Sequence, residues 1–166
     1  MADLMKPGSL NYRGNSKTNE SGRNNFYFTT NSLGVQPNIT NGYAAQSAPS
    51  AMITYQENLL ILAEAGYRAN GFDTGFTHLN NFRAYMNAGG YLTNANASNI
   101  LYDAYSTADF AAGGIENTDR IGTEEALLRE ILEERYITLF GQIEVFNDTR
   151  RTENEAIVRV PVCLLY

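Results

Sequence analysis

Apolar residues recur at three- and four-residue steps in several parts of this chain, and the first such part follows residue 54. Leu59 and Ala63 belong to an apolar stripe that fits one face of a helix. Thr54 precedes this stripe, and Glu57 follows three residues later, which is the spacing of a capping box. Gly71 is a residue that ends helices. The pattern therefore predicts a helix between Thr54 and Gly71.

A second helix is predicted directly after the first. Asp73 can cap its start, and Gly89–Gly90 ends it. The inner face is expected to carry four apolar residues, Phe76, Leu79, Phe82 and Met86. Together the two helices form an antiparallel hairpin. A small residue at the crossing, a glycine turn, and Leu and Phe on the returning helix make it similar to a degenerate tetratricopeptide unit.

The pattern predicts another helical hairpin further along the chain. Its first helix begins at Ser98 or Asn99 and ends at Gly113–Gly114, with Leu101, Ala104, Tyr105 and Ala108 facing inward. Its second helix begins after Gly122–Thr123, and Glu124 and Glu125 occupy the first turn, where the helix dipole favours acids. The predicted fold class is thus mainly α, built from tetratricopeptide-like antiparallel helical hairpins.

The segment Leu127–Arg151 carries a charge within its apolar stripe. The residues at helical spacing are Leu128, Ile131, Leu132, Arg135, Leu139 and, past Gly141, Ile143 and Phe146. We expect these residues to share one face of an amphipathic helix. Burying a guanidinium is costly unless the fold supplies a partner. The sequence therefore predicts that Arg135 is buried and paired with a carboxylate.

The two ends of the chain show no sustained helical period. Residues 1–50 are rich in Gly, Asn, Ser and Thr and are expected to be an irregular, loop-rich segment. The run Asn25–Thr30 is aromatic and β-branched, and it predicts a short strand there. The tail 152–166 contains Ala156–Val162, which could form another strand. The region 51–151 between them is expected to be the helical one.

Composition excludes several classes of function. The 166 residues suit one domain, and a hydrophobic content of 43% is enough for a core. The net charge of −6 argues against a nucleic-acid partner, which would need a basic face. The lone His78 and lone Cys163 do not make a catalytic triad or a zinc site. We expect no metal ion and no cofactor.

Carboxylates in the helical region raise the question of glycoside hydrolysis. That reaction needs two carboxylates about 5–9.5 Å apart, on opposite sides of the glycosidic bond. Glu133 and Glu134 are adjacent on a helix and point about 100° apart, so they cannot face each other across a sugar. Neither they nor Glu144 is expected to be catalytic. We therefore expect a protein that is not an enzyme.

Two spaced motifs resemble a known family. Glu134, Arg135, Leu139, Asp148 and Arg151 fall on the C-terminal pattern of the SusD/RagB family of nutrient-binding outer-membrane lipoproteins. The upstream residues that fit the family are Leu59–Ala65, which ends in Ala-Glu-Ala, together with Leu79, Asn80 and Arg83. Thr138, Gln142, Ile143 and Val145 depart from the pattern and indicate a divergent branch. The resemblance covers roughly 51–151, the C-terminal part of such a protein.

The resemblance implies binding rather than catalysis. It implies an outer-membrane, cell-surface location and delivery of an oligosaccharide to a SusC-like TonB-dependent transporter. The residues after Met1 are polar, so we expect the lipid anchor to be absent from this chain. The family pattern favours a structural salt-bridge network of Glu64, Glu134, Arg135, Asp148 and Arg151. The alternative for Arg135 and Arg151 is recognition of an anion or a sugar.

Sugar binding requires aromatic faces and planar polar side chains. The loop residues with suitable chemistry are Tyr12, Phe26, Tyr27 and Tyr43, interspersed with asparagines. We expect the chain alone to bind glycans weakly and to tend toward self-association, because apolar surface that awaits a partner stays exposed. The alternative function is a helical-repeat scaffold that binds a protein or peptide and no glycan.

Overall fold

The fold is mainly α, as the sequence predicts. The computed structural model describes residues 2–50, 52–90, 101–155 and 158. Six α-helices lie in these ranges: α1 Ala2–Met5, α2 Ser21–Tyr27, α3 Tyr55–Asn70, α4 Phe72–Asn87, α5 Thr123–Thr138 and α6 Ile143–Thr152. The strands are β1 Thr18–Asn19, β2 Phe28–Asn31, β3 Gly34–Pro37 and β4 Leu101–Tyr102, and a short 3-10 helix covers Thr107–Asp109.

Two compact units make up the chain, and each has its own core. The first unit takes the described residues of Met1–Ser50 and Arg83–Ala104. It contains the antiparallel pairs β1–β4 and β2–β3. The second unit takes the described residues of Ala51–Phe82 and Tyr105–Tyr166, in which α3 packs against α5, and α5 against α6.

Helix α3 forms where the pattern predicts it. The Thr54 hydroxyl accepts a hydrogen bond from the Glu57 backbone N–H at 3.2 Å, so the N-terminal cap is present. The apolar stripe is buried, with Leu60 and Ala63 fully inaccessible to solvent. Gly71 follows the last turn at a φ of 82°, a left-handed conformation that suits glycine.

Helices α3 and α4 approach each other closely at two glycines. A Cβ on Gly66 would lie 2.9 Å from the Thr74 methyl group, and one on Gly75 would lie 2.6 Å from the Tyr67 Cβ. The expected inner face of α4 is confirmed at Leu79, Phe82 and Met86, which are fully buried, while Phe76 is half-buried.

The capping role expected for Asp73 is wrong, because α4 already begins at Phe72 and places Asp73 inside its first turn.

The helix predicted from Ser98 or Asn99 to Gly113 is wrong over its described part. Leu101 and Tyr102 are a strand paired with Asn19 and Thr18, and only a short 3-10 turn follows. Side chains remote in sequence decide this conformation: the Asn80 amide accepts from the Tyr105 backbone N–H at 2.8 Å and donates to its carbonyl at 3.1 Å. Both backbone groups are thereby withdrawn from helical bonding. Residues 98 and 99 lie outside the described residues.

The amphipathic helix predicted through Gly141 is wrong, because the structure contains two helices there. Helix α5 ends at Thr138, and Gly141 turns the chain at a φ of 79° before α6 begins. Ile143 and Phe146 consequently leave the buried stripe and are 65% and 57% exposed. The start of α5 is as expected, with Glu124 and Glu125 in its first turn.

The N-terminal 50 residues contain short elements that the pattern did not predict. The strand expected at Asn25–Thr30 is wrong for Asn25–Tyr27, which belong to α2, and right for the residues from Phe28 onward, which form β2. The Tyr27 side chain is buried while its backbone is helical, so tertiary packing overrides its β propensity. The tail strand expected at Ala156–Val162 lies outside the described residues except for Val158, which is buried.

Candidate functional site

Four charged side chains from three helices meet in the second unit. Glu64 comes from α3, Arg135 from α5, and Asp148 and Arg151 from α6. The Arg135 Nε and Nη2 groups donate to the two Asp148 carboxylate oxygens at 2.9 and 3.1 Å. Arg151 donates from Nε to Asp148 at 2.7 Å and from both Nη groups to Glu64. The Arg135 Nε lies 3.5 Å from the second Glu64 oxygen. We call these four residues the ion network.

The ion network is mostly shielded from solvent. Glu64, Arg135 and Asp148 are each at least nine-tenths buried, whereas the Arg151 side chain is 38% exposed. Bidentate pairs between guanidinium and carboxylate fix geometry as well as adding energy. The network therefore fixes the positions of α3, α5 and α6 relative to one another within this unit.

The network shifts the pKa values of Glu64 and Arg151. Burial alone would raise the pKa of the Glu64 carboxyl, but hydrogen bonds from Arg151 and Arg68 and the charge of Arg135 outweigh it, so this pKa is below its ordinary value. Burial would lower the pKa of the Arg151 guanidinium, yet its bonds to Glu64 and Asp148 raise it further above its ordinary value. The charged forms of Glu64 and Arg151 are thus the favoured ones at neutral pH.

Glu134 was expected in the same network, but its direction differs. It is 1% exposed and accepts a hydrogen bond from the Thr138 hydroxyl at 2.9 Å, one helical turn further on. Adjacent helical residues point about 100° apart, so Glu134 and Arg135 face different neighbours. The interpretation of Glu134 as the partner of Arg135 is wrong, because Asp148 and Glu64 hold that position.

A cleft of about 270 Å³ opens beside the ion network. Its lining residues are Ile61, Glu64, Ala65, Arg68, Arg135 and Arg151. At its rim, Arg68 donates to Glu64 at 2.8 Å and to Glu155 at 2.7 Å. The cleft thus combines an apolar strip from one face of α3 with several guanidinium groups.

Three of the four expected sugar-binding aromatics lie together in the first unit. Tyr27 makes edge contacts with Phe26 and Tyr43, at centroid distances of 5.4 and 5.6 Å. Tyr27 is 2% exposed, so it is a core residue and its ring is not offered to a ligand. Phe26 is half-buried, and Tyr43 is 37% exposed. Of this cluster, Tyr43 is the ring that a solute reaches most easily.

An asparagine-centred loop holds Tyr43 in place. The Asn38 amide donates to the Asn25 carbonyl at 2.8 Å and to the Asn41 side chain at 3.2 Å, and its oxygen accepts from the Thr40 and Asn41 backbone N–H groups. A Cβ on Gly42 would fall 2.1 Å from the Phe26 carbonyl oxygen, so this position requires glycine. Tyr43 is therefore presented by a fixed backbone.

Tyr12, the fourth expected aromatic, is half-buried, and its ring lies over Gly14, where a Cβ would come within 2.0 Å of it. Tyr12 thus packs within its own loop.

A long uncharged stretch of the sequence covers the same region. No residue from Asn24 to Gln56 is charged. Amides and hydroxyls are frequent among the exposed residues of this stretch, beside apolar ones such as Leu33 and Ile39, and this combination suits hydroxyl-bearing, uncharged ligands. The absence of Lys, Arg, Asp and Glu over such a length was visible in the sequence alone.

Sequence reasoning missed a buried charged cluster in the first unit. Glu20 and Arg23 are completely buried and lie 3.1 Å apart, and Arg13 donates to Glu20 at 2.7 Å. The Tyr102 hydroxyl donates to Glu20 at 3.0 Å, and the guanidinium of Arg83 lies 5.2 Å from the centre of the Tyr102 ring. Arg83 was visible as part of the upstream motif, but its hydrogen-bond acceptors lie 20 to 66 residues away along the chain.

Arg83 ties three backbone segments of that unit together. Its Nε donates to the Asp103 carbonyl at 2.7 Å, and its Nη2 donates to the Lys17 carbonyl and the Thr18 hydroxyl at 2.8 and 2.9 Å. The β1–β4 pair is thereby held by a side chain from α4.

A second missed cluster lies in the second unit, where the Tyr105 hydroxyl lies 2.5 Å from Glu116 and 3.1 Å from Glu130.

The described residues offer no group of three or more His, Cys, Asp and Glu side chains that could hold a metal ion. Among the same residues, no helix is both long enough and apolar enough to cross a membrane. The chain matches no known protein family, and comparisons with curated proteins and with solved structures find no significant match.

Proposed function

We propose that this chain is the helical, C-terminal part of a SusD-like glycan-binding protein. In this proposal the protein lies at the cell surface on the outer membrane, takes up an oligosaccharide and passes it to a SusC-like TonB-dependent transporter. It acts by binding and not by catalysis. The hairpin of α3 and α4 is a tetratricopeptide-like unit that serves as a scaffold.

The observation that supports the proposal is that residues of the two sequence motifs are hydrogen-bonded to each other. Glu64 belongs to the upstream motif, and Arg135, Asp148 and Arg151 belong to the downstream one. Arg151 and Glu64 are 87 residues apart and are directly hydrogen-bonded. Motif residues that are distant in sequence and joined in space are expected when both motifs stem from one family pattern.

The first unit supplies the ligand-binding part of the proposal. Tyr43 offers an accessible ring on a fixed loop, and the surrounding uncharged stretch offers amides that can bond sugar hydroxyls. Aromatic side chains combine an apolar face with rigid placement. We therefore assign Tyr43, with Phe26 beside it, as the first ligand-contacting residue to test.

The test is retention of the full chain on surfaces that carry dense oligosaccharides. Dense display raises the effective concentration and detects weak single-site binding. We expect retention on at least one glycan, lost in Tyr43→Ala and kept in Tyr55→Ala, a control tyrosine that is also exposed. Retention that Tyr43→Ala leaves unchanged would contradict the assignment of the loop.

The transporter is tested separately, by co-purification with the TonB-dependent transporter whose gene lies beside the gene of this chain. Absence of such a neighbouring gene, together with no retained glycan, would favour the second candidate, a helical scaffold that binds a protein or peptide.

A further inference from the structure

The cleft beside the ion network presents mainly hydrogen-bond donors. Three of its lining residues are arginines, and among the described lining residues Glu64 is the one acid. The Glu64 oxygens already accept from Arg151, and one of them also accepts from Arg68. Guanidinium groups have no acceptor. A polar ligand group that enters the cleft is therefore required to accept hydrogen bonds.

Arg135 provides a donor that the protein itself does not use. Its Nε and Nη2 bond to Asp148, while its Nη1 has no hydrogen-bond partner within the described part of the chain. The side chain is 7% exposed and lines the cleft. Nη1 is not one of the fully buried polar atoms, so solvent in the cleft reaches it. A ligand acceptor can therefore take the place of water at this donor.

The rim of the cleft already accommodates a carboxylate. Arg68 holds the Glu155 carboxylate at 2.7 Å, and the two side chains are 40% and 27% exposed. Exposed ion pairs contribute only about 0.2–1 kcal/mol. A ligand carboxylate can therefore compete with Glu155 for Arg68 at little cost.

Size and apolar lining restrict the ligand to a small ring. A cleft of about 270 Å³ lies just below the roughly 300–1,000 Å³ of sites for drug-sized ligands. Ile61 and Ala65 are exposed on the α3 side of the cleft and can pack against the C–H face of a sugar ring. One sugar residue fills such a space.

Donor geometry, and not net charge, favours an acidic sugar over a neutral one. The three arginines are paired with three carboxylates, so the charges around the cleft balance; these acids are Glu64, Asp148 and Glu155. A planar carboxylate matches the fork geometry of the guanidinium groups in bidentate fashion.

We propose that this cleft binds one acidic sugar residue through its carboxylate, with Arg135 and Arg68 as donors and Ile61 and Ala65 against the ring. The proposal rests on the proposed glycan-binding function, whose ligand class it narrows to glycans that contain a uronic acid. The cleft is a subsite different from the Tyr43 loop.

The experiment is an NMR titration of the full chain with galacturonate, observed at backbone amides and at the Arg135 Nε–H group. Galactose, acetate and inorganic phosphate are titrated as separate probes. For a ligand of this size we expect a Kd on the order of 1 mM. Galactose and acetate should bind at least tenfold more weakly, because galactose lacks the carboxylate and acetate lacks the sugar ring.

Three variants connect this binding to the cleft. Ala65→Tyr fills the cleft without touching the ion network, and it should weaken galacturonate binding at least tenfold. Ala84→Tyr places the same side chain at an exposed position of α4 and should leave binding unchanged. Glu155→Gln removes the competing carboxylate and should tighten binding about twofold to fivefold, the equivalent of an exposed ion pair. A merely structural role of the network predicts no such gain.

Each outcome decides between specific statements. If galactose binds as tightly as galacturonate, the carboxylate is not what the cleft recognises. If phosphate binds more tightly than galacturonate, the sugar ring is not recognised. If Ala65→Tyr does not weaken galacturonate binding, the ligand lies outside the cleft. If galacturonate does not bind while neutral oligosaccharides are retained by the Tyr43 loop, the cleft proposal fails and the proposed function stands. If neither galacturonate nor any neutral oligosaccharide binds, both the cleft proposal and the proposed glycan-binding function fail.

Discussion

Removing one acid from the ion network should destabilise the protein far more than removing its buried base. Asp148→Ala leaves the Arg135 guanidinium, which is 7% exposed, with Glu64 at 3.5 Å as its nearest acid. Breaking a buried pair in this way typically costs about 3–5 kcal/mol. Arg135→Met instead leaves Asp148 bonded to Arg151, and Glu64 bonded to Arg151 and Arg68. Since no carboxylate loses its last partner, this variant should be close to neutral.

Thermal unfolding followed by circular dichroism measures the difference. At roughly 2–4 °C per kcal/mol for a chain of this size, Asp148→Ala should lower Tm by about 6–20 °C. Glu153→Ala removes an exposed acid near the end of α6 and serves as the matched control, with an expected change within about 0.5 kcal/mol. Equal melting temperatures for Asp148→Ala and Glu153→Ala would show that the network contributes no stability and would refute the reasoning.

Three further predictions concern other parts of the structure. The pKa of the Glu64 carboxyl is lowered on folding, so its contribution to stability is present above its ordinary value of 4.5 and is lost as pH falls through the lower folded value; denaturant titrations should show a flatter acid limb in Glu64→Gln. Gly75→Ala should lower stability by about 1–3 kcal/mol in urea unfolding despite the better helix propensity of alanine, because the new methyl group meets α3. Arg83→Lys should expose the β1–β4 amides to faster hydrogen exchange, since an ammonium group cannot reach all three acceptors; unchanged exchange at the Asp103 amide, which donates to the Lys17 carbonyl, would contradict this role.

Local signals in the sequence were sufficient to predict where a single helix begins and ends. Thr54, Gly71 and the stripe between them specify α3 through capping and periodicity, which act within a few residues. The ion network could also be predicted from the sequence, because a charge within an apolar stripe requires a buried partner. Its actual acceptor, Asp148, was among the candidates, whereas adjacency in sequence made Glu134 a misleading one.

Non-local contacts decided the parts that the sequence did not reveal. Tyr105 has helical spacing with its neighbours, but Asn80 binds both of its backbone polar groups and keeps it extended. Tyr27 belongs to a run with strand composition, yet its ring is buried from a helix. Periodicity cannot register a competitor that lies tens of residues away. The same reasoning explains why the buried partners of Arg83 were missed.

The separation of Glu64 and Arg151 by 87 residues has a consequence for the order of folding. The α3–α4 hairpin closes a short loop, whereas the bond between Glu64 and Arg151 must wait until a much longer segment has collapsed, at an entropic cost that grows with loop length. We therefore expect α6 to dock late, after the transition state for folding. Interactions that form at that stage lower the unfolding rate and hardly change the folding rate. Loss of the bond between Glu64 and Arg151 is thus expected to shorten the lifetime of the folded state.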